Sequence, residues 1–161
     1  RLKMNKNSIE QTVADKLKQK KLRISFAESC TGGLCAARFI SANGASEVLD
    51  ASLITYSVKA KIKYLGIDKN LIDKYGVVSE QTALAMARGA AQENNDDIGV
   101  GVTGYAGPTS DDPKIPVGTV CFGFYDRGKG ISFTEHFKDM ERNEVRLSAS
   151  DFVFKKLNEI I

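Results

Sequence analysis

The chain has 161 residues and a formal net charge of +3, enough for one domain with a real core and too little for two comfortable ones. Its positive charge is mild and scattered, without the dense basic stripe of a nucleic-acid binder, and no apolar run approaches membrane-spanning length. Three cysteines without C-x-x-C spacing read as free thiols of a reducing cytoplasm, and one histidine, His136, leaves neither a histidine-based zinc site nor a Ser-His-Asp triad a good expectation. The first residues, Arg1-Leu2-Lys3-Met4, carry no secretory pattern; Met4 reads as a natural start, and residues 1–7 are expected to be disordered.

Ile9, Val13 and Leu17 form one apolar stripe on an otherwise polar first helix. Leu22–Ala27 alternates apolar and polar residues, the period of a strand, and hands over through Ala27-Glu28-Ser29-Cys30-Thr31-Gly32-Gly33 to a short helix over Leu34–Ile40. Gly44 breaks the following loop, Leu49–Tyr56 reads as a strand, and Ser57 caps a helix that runs through Lys61 and Leu65 to Gly66. Leu71–Tyr75 is a further helical piece before Gly76, and Ser79 opens an alanine-rich helix reaching Ala91. Ile98–Thr103 is a strand ending in the turn Gly104–Pro108, and Thr109–Pro116 is a polar loop or flap. Val117–Tyr125 and Ile131–Lys138 form a hairpin, and a last helix carries Val145, Ala149, Phe152, Leu157 and Ile160. This order predicts an α/β fold, a three-layer α/β/α sandwich with a mixed central sheet, as one domain over 1–161. Parallel strands would bring the turns after Ala27, Tyr56 and Thr103 to one edge, where ligands of open α/β sheets bind.

The turn at Ser29 concentrates hydroxyls, a thiol and two glycines at a strand's end. Read alone, Ser29 is an N-cap or a nucleophile. Without histidine, a serine nucleophile needs a neutral lysine as base, and that lysine needs its pKa lowered by burial or by neighbouring cations. Lys61, between Lys59 and Lys63 and five residues after Tyr56, is the candidate; the plain reading of all three lysines is a solvated helix face. Cys30 reads as a buried inert thiol, and Gly99 and Gly101 form a G-x-G inside a strand, a weak phosphate signal. Arg142 and Arg146 share one face of the last helix, to meet a phosphate or to pair with Glu141 and Glu144.

Six ordered segments, A-E-S-C-T-G-G at Ala27–Gly33, T-Y-S-x-x-A-K at Thr55–Lys61, V-S-E at Val78–Glu80, T-G-Y-A-G-P at Thr103–Pro108, P-V-G-T-V at Pro116–Val120 and R-x-x-V-R at Arg142–Arg146, resemble the CinA C-terminal domain family over nearly the whole chain. Its single-domain members include nicotinamide-nucleotide amidases. The resemblance implies deamidation of nicotinamide mononucleotide to nicotinate mononucleotide and ammonia, without metal or other cofactor, in the cytoplasm. It implies Ser29 as nucleophile, Lys61 as base and Tyr56 as proton-relay or positioning hydroxyl. Thr31, Gly32 and Gly33, with Thr55, Thr103, Gly104 and Gly107, would bind the substrate and its oxyanion, and Arg142 its phosphate. The partners implied are a small nucleotide and further copies of the chain, as a dimer or larger, and neither nucleic acid nor membrane; the apolar last helix itself offers Phe152 or Phe154 to a second subunit. The larger N-terminal part of full-length members has no counterpart in this sequence, so its hydrolase activity does not transfer.

Met140-Glu141 replaces the family's usual glycine-aspartate, Tyr105 replaces an aliphatic residue, and Thr109–Ile115 has fewer glycines than many relatives. All three departures bear on substrate choice. The competing expectation is a catalytically silent nucleotide-binding or competence-associated interaction module.

Overall fold

The computed structural model describes residues 8–161, so the expectation of disorder over residues 1–7 lies outside the described residues. Five strands, β1 (Ile24–Glu28), β2 (Leu49–Ile54), β3 (Ile98–Gly104), β4 (Thr119–Asp126) and β5 (Lys129–His136), form one mixed sheet in the order β2-β1-β3-β4-β5. The β1–β2 and β1–β3 pairs are parallel, and the β3–β4 and β4–β5 pairs antiparallel. Among the described residues six α-helices accompany them: α1 (Ile9–Lys20), α2 (Leu34–Phe39), α3 (Val58–Leu65), α4 (Lys69–Tyr75), α5 (Glu80–Asn94) and α6 (Arg142–Ile160), with a 3-10 turn at Ala45–Glu47. The α/β architecture is the one anticipated.

Local chemistry sets most boundaries. The Ser57 and Ser79 hydroxyls accept from the Ala60 and Thr82 N–H groups at 3.1 Å each, closing the N-termini of α3 and α5. Gly66, at φ +64°, ends α3 in a left-handed turn. Although Leu22–Ala27 alternates apolar and polar residues, every residue of β1 is buried, because parallel neighbours and helices cover both its faces. The first hairpin strand begins two residues later than its apolar pattern. Gly118, at φ +90°, turns the chain there and abuts the Phe137 carbonyl.

Packing explains several residues that could have been read otherwise. A Cβ at Gly99 would lie 1.9 Å from the Ala87 carbonyl oxygen, and one at Gly101 2.1 Å from that of Ala83. The G-x-G is therefore the bed on which α5 lies against β3, not a phosphate loop. Phe154 is fully buried with Phe26 and Phe39, and Phe152 packs 4.4 Å from Phe122, centroid to centroid. Phe154 is thus fully enclosed within the chain, whereas Phe152 is half-buried. Among the described residues no helix is long and apolar enough to cross a membrane.

Candidate active site

The carboxyl ends of β1, β2 and β3 converge. Ser29 follows β1, Thr55 and Tyr56 follow β2, and Gly104–Pro108 leaves β3. Helix α3 then folds back so that Lys61 alone of its three lysines turns inward, fully buried, while Lys59 and Lys63 stay exposed. Lys61 Nζ lies 3.1 Å from Ser29 Oγ and 2.6 Å from the Thr55 carbonyl oxygen. Burial lowers the Lys61 pKa to about 8, and no carboxylate among the described residues lies within ion-pair distance of it. A buried amine without a counterion holds its proton weakly, as a base must.

Ser29 is not an N-cap: α2 begins at Leu34, and Gly33, at φ +97°, occupies the cap position. Part of the capping is done by Glu28, a fully buried residue to which the sequence assigned no role. Its carboxyl accepts from the N–H groups of Cys35 (2.9 Å) and Ala36 (3.2 Å) and from the Ser52 hydroxyl (2.7 Å). The helix N-terminus is thus occupied by the protein's own acid, and any oxyanion must find donors earlier in the turn. Gly32 N–H donates to the Ser29 carbonyl at 3.0 Å, whereas the N–H groups of Cys30, Thr31 and Gly33 have no acceptor among the described residues.

A cleft of about 320 Å³ opens on Ser29 and is lined by Cys30, Tyr56, Thr103, Gly104, Gly107 and Arg142, among others. Burial pushes the Cys30 thiol up to about 12, which leaves it inert beside the serine. Thr103 donates its hydroxyl to the Val77 carbonyl at 3.0 Å, a structural bond. Thr31 and Thr55 are buried outside the cleft lining, and their hydroxyl oxygens have no partner among the described residues. Tyr56 is exposed, and its hydroxyl accepts from Arg142 Nη2 at 3.0 Å rather than touching Ser29 or Lys61. Arg142 also donates to the Gly107 carbonyl, so it ties β2's end to the Gly104–Pro108 turn. Neither arginine of the last motif pairs with Glu141 or Glu144, which form a capping box at the start of α6. Arg146 instead donates to the carbonyls of Cys30 (2.9 Å) and Thr31 (3.1 Å). Reading the sequence missed the placement of Glu28 and Arg146, although both stand inside quoted motifs.

A larger cavity of about 580 Å³ lies between α5, β4, β5 and the flap, lined by Glu80, Lys114, Cys121 and His136 among others. Size does not make it the reactive site. Glu80 is taken up by Ser132 and Thr134, His136 Nδ1 lies 3.0 Å from the Thr119 hydroxyl, and burial raises the Cys121 thiol. It holds no counterpart of the Ser29–Lys61 contact.

Comparison with known proteins places the chain in one family. The CinA C-terminal domain profile matches residues 6–161. A CinA-like protein of Dictyoglomus thermophilum is 44% identical over 154 residues, covering 93% of this chain and 37% of the relative. One from Kosmotoga olearia is 40% identical over 161 residues, covering 98% and 39%. The chain thus spans under two-fifths of the length of these curated relatives. Among solved structures, a competence or damage-inducible protein from Enterobacter asburiae superposes with a TM-score of 0.91 at 32% identity, covering 94% of this chain and 95% of that one. A competence-damaged protein (CinA) superfamily protein from Escherichia coli gives 0.90 at 29% identity, covering 98% and 92%. With the profile spanning nearly all of its length, the chain belongs to the CinA C-terminal domain family.

Proposed function

We propose that the chain is a serine-lysine amidohydrolase that deamidates nicotinamide mononucleotide to nicotinate mononucleotide and ammonia. The observation that carries this reading is the buried Lys61 amine, 3.1 Å from Ser29 Oγ, with its pKa lowered to about 8. At pH 7 about one-tenth of such a lysine is neutral, against fewer than roughly one in a thousand at its ordinary pKa.

Neutral Lys61 keeps its hydrogen bond to the Thr55 carbonyl, which aims the nitrogen lone pair at the Ser29 hydroxyl. The serine oxygen attacks the carboxamide carbon as its proton passes to Lys61. Backbone N–H groups of the Ser29–Gly33 turn hold the oxyanion. Collapse breaks the C–N bond; the leaving nitrogen takes the proton from Lys61 and departs as ammonia. Water then attacks the acyl-enzyme, giving its proton to Lys61, and the free acid leaves as Ser29 recovers its hydrogen. Arg142, at the cleft wall beside Tyr56, is the residue assigned to the substrate phosphate.

The test is ammonia release from nicotinamide mononucleotide by the wild type and by Ser29→Ala, with substrate binding followed by calorimetry. The expected outcome is release by the wild type and none by the variant, which still binds. Saturable binding with no release by the wild type would overturn the reading in favour of a silent binding module.

A further inference from the structure

The second turn of α6 reaches across to the Ser29 turn through one side chain. Arg146 donates through Nε to the Cys30 carbonyl (2.9 Å) and through Nη2 to the Thr31 carbonyl (3.1 Å), and Nη1 is steadied by Asn143 Oδ1 (3.1 Å). The approach is close enough that a Cβ at Gly32, which sits at φ +58°, would lie 3.3 Å from Nη2. The guanidinium therefore has three of its donors engaged by the protein itself, unlike a free anion ligand.

In a trans peptide the N–H and C=O point in opposite directions, so whatever holds the carbonyl also aims the N–H. Three successive peptides of the turn can be compared on that basis. The Ser29–Cys30 peptide is held through the Ser29 carbonyl, which accepts from the Gly32 N–H at 3.0 Å. The Thr31–Gly32 peptide is held at both ends, by that same N–H and by the Leu34 N–H on the Thr31 carbonyl (3.1 Å). The Cys30–Thr31 peptide differs. Its N–H has no acceptor among the described residues, and Arg146 is the one group that holds its carbonyl.

We infer that Arg146 is a positioning residue that locks the Cys30–Thr31 peptide and so holds the turn in the conformation that presents Ser29 Oγ and the Cys30 N–H, both at the cleft, to the reacting carboxamide. The inference rests on the amidase reading above for what the carboxamide is. A guanidinium is suited to this role because it stays protonated across the working pH range, and its planar fork spans two adjacent carbonyls, which an ammonium does not. Without it, the peptide is free to rotate, and Ser29 Oγ and the Cys30 N–H lose their placement. Losing one oxyanion donor typically costs about 10²–10³-fold in rate.

The decisive comparison is Arg146→Met with the milder Arg146→Lys, both measured for kcat and KM on nicotinamide mononucleotide and on nicotinamide riboside, which lacks the phosphate. A crystal structure of each variant reports the Cys30–Thr31 peptide. The expected result for Arg146→Met is a kcat lower by about 10²–10³-fold, by the same factor on both substrates, with KM held within about three-fold and the peptide rotated. Added guanidinium should restore part of the rate, and Arg146→Lys should lie between. A rise in KM confined to the phosphorylated substrate would make Arg146 a phosphate ligand and overturn the inference. A kcat loss with the peptide unmoved, or a loss of thermal stability alone, would overturn it as well. Should the wild type release no ammonia from either amide, the amidase reading falls, and the variant structures still decide the clamp: a rotated peptide upholds it and an unmoved one refutes it.

Discussion

The two ends of the parallel strands treat charge in opposite ways. At the amino ends, Arg23 meets Asp50, with Nε 2.7 Å from Oδ2, and lies 3.8 Å from Asp96; its N–H donates to Asp97 at 2.9 Å, and the Ser25 hydroxyl donates to Asp96. The hydrogen bond from Arg23 holds Asp50 down to about 2, while burial first, and then the neighbouring Asp50, push Asp96 up to about 6. At the carboxyl ends, Lys61 is buried, and among the described residues its hydrogen-bond partners are one carbonyl and one hydroxyl. Desolvation works against charge at both ends; the presence or absence of counterions decides the outcome. Paired groups form a structural tie, and the unpaired amine holds its proton less tightly.

The largest expected effect comes from removing that unpaired amine. Lys61→Met should abolish ammonia release, by about 10³-fold or more, without lowering the urea midpoint, because an uncompensated buried charge disappears with the base. A midpoint that collapses would make Lys61 a structural residue like those at the other end. Next, kcat should rise with pH as Lys61 loses its proton and level off above about 8. A flat profile between about pH 6 and 9 would remove the lysine from the reaction. Glu28→Gln should cost roughly 1–3 kcal/mol in denaturant unfolding, since a buried N–H at the start of α2 loses its acceptor. Ser52→Ala should cost less, about 1 kcal/mol, for the one hydroxyl lost.

The smallest effect tests the amino-end cluster. Asp96 has a folded-state pKa above its unfolded value, so the folded protein binds the extra proton, and the stability this contributes is lost as pH rises from about 4 through about 6. Asp96→Asn should therefore compare better with the wild type at about pH 7.5 than at about pH 4.5 in urea midpoints. Equal differences at both values would mean that the acid is not raised by its surroundings.

Much of the molecule was legible because it rests on short-range chemistry. Ser57 and Gly66 bracket α3 through hydroxyl and backbone contacts that each span one turn, and Ser79 opens α5 in the same way. The edge where β1, β2 and β3 end follows from alternating strands and helices, so the neighbourhood of Ser29 could be anticipated from order alone. Tyr56 shows the limit of that reasoning. It arrives at the cleft, yet its hydroxyl is engaged by Arg142, 86 positions away in the chain, a contact that no local spacing announces.

Strand and helix order, the turn that carries Ser29 and the motif set that places the chain in its family were all written in the sequence, since each depends on neighbouring residues or on their order. Packing alone selected which of three lysines loses its water and therefore holds its proton less tightly. It also assigned Glu28 to the start of α2, and set Arg146 to hold two carbonyls across 116 and 115 positions of chain. Burial and long-range hydrogen bonds are properties of the packed chain, and the surroundings of Ser29 are made of both.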